Sequence, residues 1–331
     1  MTPEEFRQWR SAMGMTQQQA AGMLGLSKST IELYESGKRR DNDQPVEIPR
    51  VVALACAALR REVGDDPSLE NRVQQWHDAA ATKYKELLAS FEDGPFIALN
   101  HFQLSYGIAH KEGQEVDPSK LIDVLQQVNE QVLGRVRTGW SMFHVFNRDA
   151  IRPRTSVDPT SGKGDEDFVE CSLLDGSNTD ATDYWRVSRD GFATVMRGYM
   201  DDHPDYVKYF RTGRARLFSP NRLTRDLAEL VRHAQAFAEQ FSDATSVSFR
   251  CAFYGLSKRN VYDPRAFWEP HKFDADATAR VSTGTWLPSD IQDKWPAAVS
   301  KLAGPVMRAA GIANVVTPEW VKDQATTWRT L

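Results

Sequence analysis

A chain of 331 residues exceeds one ordinary domain and, at roughly 100–200 residues per domain, divides into about two. With 41% hydrophobic and 26% charged residues it has a globular composition, which excludes the disordered, collagen-like and membrane classes. Lys and Arg number 41 against 45 Asp and Glu, a net charge of −4, so a chain-wide polybasic coat is excluded while a local basic patch is not.

The chain opens on legible helix caps. Thr2-Pro3-Glu4-Glu5 combines an N-cap threonine, a proline at the first helical position and a glutamate placed to bond back to the cap. Phe6, Trp9 and Met13 then share one helical face. Thr16-Gln17-Gln18-Gln19 repeats the capping logic, and the two-turn helix it opens carries Ala20, Ala21, Met23 and Leu24 before Gly25 turns the chain. Ser27 caps a third helix with Ile31 and Tyr34 on one side, and Gly37 is placed to end it in the left-handed conformation. A polar stretch with Pro45 and Pro49 precedes one more amphipathic helix over 51–59.

Gly64-Asp65-Asp66-Pro67 breaks the pattern and marks a domain boundary. Helical periodicity returns over 70–92 and 118–133, which reads as a connecting or dimerising pair. Beyond Gly134, β-branched and aromatic runs predict strands at 140–146, 168–174, 193–199, 247–254 and 277–286. Helices are expected over 223–241 and 289–310, with a last short one from Pro318. Strands grouped rather than alternated with helices favour an α+β domain with a mostly antiparallel sheet. The expected organisation is an all-α domain over 1–63, a helical connecting or dimerisation region over 64–134, and an α+β domain over 135–331 for ligand sensing, dimerisation or partner binding.

Cys56, Cys171 and Cys251 lie far apart with no C-x-x-C pair, so neither a disulfide framework nor a zinc finger can be drawn. The N-terminus MTPEEFRQWR is charged where a secretion signal is apolar, and no stretch approaches a membrane span. A cytoplasmic protein without a membrane partner is expected. No G-x-S-x-G, H-E-x-x-H, Walker lysine loop or G-x-G-x-x-G occurs. The expectation is therefore no enzyme, no catalytic residue, no metal and no cofactor.

A short helix, a tight turn at Gly25 and a second helix with a polar start form the arrangement that inserts a recognition helix into the DNA major groove. The string Arg10 to Gln17, then Leu24-Gly25-Leu26-Ser27, Ile31 and Tyr34-Glu35-Ser36-Gly37-Lys38, resembles the Cro/CI (XRE) family of helix-turn-helix repressors. Trp9-Arg10 and Ala20-Ala21 replace its common Leu-Arg and Leu-Ala, keeping an apolar or small face. The resemblance covers about 60 residues and implies double-stranded DNA as partner. Lys28, Ser29 and Glu32, facing away from Ile31 and Tyr34, are the candidates for base edges: lysine for guanine O6/N7, serine for several edges, glutamate for cytosine N4. Gln17, Ser27, Lys38, Arg39 and Arg40 are the candidates for phosphates. Arg10 and Glu35 occupy positions that pair across the helices in the resembling family.

Residues 1–63 hold nine Lys/Arg and eight Asp/Glu, net +1, against net −5 for the remainder. So small an excess predicts weak binding by one copy and a homodimer reading a pseudo-palindrome. The function expected is a sequence-specific transcriptional regulator, a dimeric repressor; the alternative is a DNA-targeting subunit of a defence, mobile-element or toxin–antitoxin system. In the larger region, 138–146 and 183–202 resemble a domain that follows Schlafen-like ATP-binding modules in some bacterial proteins, a hint about fold only. Trp140, Trp185, Arg197 and Tyr199 are candidates to line a ligand or partner pocket for a small-molecule or protein effector, with core packing the favoured alternative.

Overall fold

The computed structural model describes residues 1–12, 15–39, 44–62, 67–89, 100–111, 114–133, 141–145, 151–156, 167–174, 183–199, 202, 217–257, 259–261, 271–272 and 279–326. The chain divides into two compact units, Met1–Asp66 and Pro67–Leu331.

Among its described residues the first unit has four helices, α1 (Pro3–Ala12), α2 (Gln17–Leu24), α3 (Lys28–Ser36) and α4 (Arg50–Glu62). Its small core gathers Phe6 and Trp9 from α1, Ala20 and Ala21 from α2, Ile31 from α3, and Val52 and Cys56 from α4. The Thr2 cap is reciprocal: Glu5 N donates to Thr2 Oγ1 at 3.2 Å and Thr2 N to Glu5 Oε2 at 2.6 Å.

The second unit contains α5 (Pro67–Ala89), β1 (His101–Ala109), α6 (Leu121–Leu133), β2 (Arg154–Ser156), β3 (Phe168–Ser172), β4 (Tyr184–Ser188), β5 (Phe192–Gly198), β6 (Leu217–Phe218) and α7 (Pro220–Ala238). It continues with β7 (Ser246–Tyr254), β8 (Asn260–Val261), β9 (His271–Lys272), β10 (Ala279–Trp286), α8 (Pro288–Ala309) and α9 (Pro318–Thr326). Among the described residues seven strands form one sheet in the order β10-β7-β1-β5-β4-β3-β2, every neighbouring pair antiparallel. A three-stranded sheet, β6-β8-β9, has one parallel pair. The domain is thus α+β with a mostly antiparallel sheet. No helix among the described residues is long and apolar enough to cross a membrane.

The alternation of β1 shows how the layers arise. Phe102, Leu104, Tyr106 and Ile108 point to one face, into a core with Leu121, Leu125 and Val128 of α6, Leu227 and Val231 of α7, and Leu302 and Val306 of α8. Gln103 and Ser105 point to the other face, under α5. There Val73 and Trp76 of α5 pack on Phe168 and Phe192, and Ala80 and Tyr84 on Tyr184 and Met196. Polar groups on that face bond to one another: His77 Nδ1 and Ser105 Oγ lie 2.8 Å apart, Ser105 Oγ and Thr194 Oγ1 2.5 Å, and Gln103 Nε2 donates to His77 O at 2.7 Å.

Two expectations are corrected. Residues 67–133 belong to the same compact unit as the sheet and are not a separate connecting region. β1 lies in the middle of that sheet, between β5 and β7, with α5 on one face and α6 among the helices on the other. The strand expected over 140–146 is a turn in its described part, 141–145. Its backbone groups bond to helix side chains instead of a ladder: Met142 N donates to Glu229 Oε1 and Asn129 Nδ2 donates to Phe143 O, each at 2.7 Å. Met142 and Phe143 are apolar because they enter the core as a turn. The expected strands do not include β1, β2, β4, β6, β8 or β9.

Candidate nucleic-acid interface

The connection between α2 and α3 is made by local chemistry. Thr16 Oγ1 accepts from Gln19 N at 3.3 Å while Gln19 Oε1 accepts from Thr16 N at 2.8 Å, closing a capping box at the start of α2. Gly25 ends that helix with φ 65°, and Leu26 N donates back to Ala21 O at 2.9 Å. Ser27 then caps α3, its Oγ accepting from Thr30 N at 3.1 Å. Gly37, with φ 70°, ends α3, and a Cβ there would lie 2.7 Å from Pro3 Cγ. Helix, left-handed turn and capped helix thus follow within 20 residues, Gln17 to Ser36.

The inward face of α3 is set by Ile31, fully buried, and by Glu35, 8% exposed. Arg10 Nε donates to Glu35 Oε1 at 2.5 Å, Arg10 Nη1 to Met15 O at 2.7 Å, and Arg7 Nη2 to Glu35 O at 2.7 Å. Gln17 Nε2 donates to Glu35 Oε2 at 2.8 Å, so the Glu35 carboxylate joins the start of α2 and the end of α3 to α1. Burial alone would raise the Glu35 carboxyl, but the hydrogen bonds from Arg10 and Gln17 and the charges of Arg10 and Arg7 outweigh it and hold it below its ordinary value.

The outward face carries Lys28 and Ser29, both exposed, and half-exposed Glu32. Lys28 Nζ stands 3.5 Å from Glu32 Oε1. Ser27 Oγ shares hydrogen bonds with Ser29 Oγ at 2.8 Å and Thr30 Oγ1 at 2.7 Å, so the cap also orients the hydroxyl at position 29. Lys38 and Arg39 follow the end of α3 on a backbone-tied segment: Arg39 N donates to Gln44 O at 2.9 Å and Val46 N to Gly37 O at 3.0 Å. Both side chains are exposed. Arg40 lies outside the described residues.

Lys28, Ser29, Glu32, Ser27, Lys38 and Arg39 therefore sit on or beside α3, while the Gln17 side chain turns inward. With Gln19 N taken by the Thr16 cap, what α2 offers an anion is the backbone N–H of Gln17 and Gln18. Arg7 joins this network without a motif to mark it; the sequence places it one turn before Arg10 on α1.

Trp185, Arg197 and Tyr199 are interior groups of the second unit. Trp185 meets Phe143 edge-on at 6.1 Å, and Tyr199 packs against Phe102 at 5.8 Å and under the Arg259 guanidinium at 4.4 Å. Arg197 Nε donates to Asp183 Oδ2 at 2.8 Å, and its Nη1 lies 3.8 Å from Asp226 Oδ1. Trp140 lies outside the described residues. No spacing in the sequence links Asp183, Arg197 and Asp226; β4, β5 and α7 bring them together. Among the described residues no three His, Cys, Asp or Glu side chains form a group able to hold a metal ion.

No curated protein and no solved structure matches the chain. Residues 4–64 match the family model of a helix-turn-helix domain. With α2, the Gly25 turn and α3 arranged as described, the N-terminal unit is a helix-turn-helix domain.

Proposed function

We propose that the protein is a sequence-specific DNA-binding transcriptional regulator of the Cro/CI (XRE) type, a repressor acting as a homodimer on a pseudo-palindromic operator. The observation that carries this reading is the α2–Gly25–α3 unit with Lys28, Ser29 and Glu32 facing outward and the basic pair Lys38–Arg39 at its end. Inserted in the major groove, α3 presents its first turn and a half to base edges, while Ser27, Lys38, Arg39 and the N–H groups opening α2 lie along the phosphates. Arg10, Glu35 and Gln17 tie α2 and α3 to α1, which suits the resemblance of this segment to the Cro/CI family. The first 63 residues carry a net charge of only +1, so phosphate attraction in one copy is weak and two copies are required for useful affinity. The second unit supplies dimerisation and the response to an effector, without catalysis.

Footprinting the full chain on the DNA upstream of its own coding sequence tests this reading. The expected result is two protected half-sites about one helical turn apart, about 34 Å centre to centre, related by a two-fold axis. A protein that stays monomeric at micromolar concentration and protects no DNA there overturns it.

A further inference from the structure

Lys28 and Glu32 stand one turn apart on the outward face of α3, with Nζ 3.5 Å from Oε1 and the side chains 53% and 30% exposed. An exposed pair at this spacing adds little to helix stability. Taken together they present a donor and an acceptor side by side. A G·C pair presents the converse in the major groove: guanine N7 and O6 accept, and cytosine N4 donates. Guanine O6 and cytosine N4 are hydrogen-bonded to each other, hence about 2.9 Å apart. The donor–acceptor spacing of the side-chain pair is close to that of the base edges.

We propose that Lys28 and Glu32 read one G·C base pair together, the ammonium on guanine O6 and N7 and the carboxylate on cytosine N4, and do not read two separate bases. This inference rests on the DNA-reading function proposed for α3. It gives the carboxylate a place in a groove walled by phosphates, because Lys28 beside it offsets the repulsion that an isolated Glu32 would meet. An A·T pair suits the same unit less well. Its two acceptors, adenine N7 and thymine O4, are separated by the N6 donor, so the ammonium cannot bridge them as it bridges N7 and O6 of guanine. The thymine methyl also stands beside O4, against the charged heads.

The test is selection of duplexes from a random library by the full-length protein, repeated with Lys28→Gln, Glu32→Gln and the double variant. Both side chains face solvent, so the substitutions leave the fold in place, and circular dichroism of each variant checks this. The wild-type protein is expected to require a G·C pair at one position of each half-site. Each single variant is expected to lose about tenfold of its preference for G·C over A·T at that same position. The double variant should lose little more than either single one. Replacing that guanine by 7-deazaguanine should weaken the wild type and leave Lys28→Gln unaffected. Relaxation at two different positions, or at none, overturns this inference and leaves DNA reading standing. A wild-type protein that enriches no sequence overturns both.

Discussion

Arg10 of α1 donates through Nε to the Glu35 carboxylate of α3 at 2.5 Å, with the two side chains 18% and 8% exposed. The same carboxylate receives Gln17 from α2, so one acidic group fixes three helices. Arg10→Ala leaves a largely buried carboxylate short of its main partner and should destabilise the first unit by about 2 kcal/mol. Glu35→Gln keeps an oxygen acceptor for Arg10 and should cost less. Hydrogen exchange of α1 and α3 amides in the full chain measures both, and equal protection in Arg10→Ala and wild type would contradict the role. Because the folded Glu35 carboxyl lies below its ordinary value of 4.5, its contribution is present at neutral pH and is lost as the pH falls through the folded value.

Arg39 is exposed beside the end of α3 on a backbone-tied segment, and Lys28 is exposed at the start of the helix. Arg39→Ala should weaken binding to selected and random DNA alike and reduce the log-log salt slope by about one unit. Lys28→Ala should weaken selected DNA more than random DNA. Fluorescence anisotropy titrations at several salt concentrations separate the two, and identical losses from both substitutions would remove the distinction between phosphate and base roles.

Arg259 is fully buried, and its guanidinium is engaged on every side. Nη1 donates to Asp202 Oδ1 at 2.9 Å and Leu217 O at 2.6 Å, Nη2 to Asp202 Oδ2 at 2.5 Å, and Nε to Gly255 O at 2.8 Å. Arg259→Met strands Asp202 and should destabilise the second unit by about 3–5 kcal/mol. Eight of the nine tryptophans lie beyond residue 66, so urea denaturation followed by tryptophan fluorescence reports this unit. A shift in midpoint of the size seen for an exposed substitution would show that the network is dispensable.

Acid should weaken the second unit through its buried histidines. Burial, aided by the charge of Arg250, lowers His77 to about 3, and burial lowers His233 to about 3. Between there and the ordinary value of 6.5 the unfolded chain binds protons that the folded one refuses, so stability falls as the pH falls across this window. Each histidine should cost on the order of 2 kcal/mol by pH 4.5. Asp226 acts in the opposite sense: burial, against the pull of Arg197, raises it to about 6, so its contribution is lost as the pH rises from 3.8 through 6. Of these three groups the two histidines outweigh the aspartate, so together they favour acid lability. Urea midpoints at pH 7 and pH 4.5 should differ less in a His77→Gln/His233→Gln protein than in wild type; an unchanged difference would assign the acid lability elsewhere.

Thr2, Thr16, Ser27, Gly25 and Gly37 mark the helix ends of the first unit in the sequence because each acts on backbone groups within about three residues. The sequence alone therefore determines α1, α2, α3 and the turn between them, and with these the outward placement of Lys28, Ser29 and Glu32. It also carries the mostly antiparallel α+β character of the larger part, through grouped β-branched and aromatic runs. What it cannot carry is pairing between distant segments. β1 alternates like a strand with one face in solvent, yet α5 covers Gln103 and Ser105 and His77 bonds to both, which places it at the centre of the sheet. The run 140–146 looks like a strand, yet Glu229 and Asn129 take backbone groups of its described part and leave a buried turn. The inward turn of Gln17 and the meeting of Asp183, Arg197 and Asp226 likewise depend on partners that no local spacing announces. Those choices belong to the tertiary structure, because a buried polar group is tolerated only where the whole fold delivers its partner.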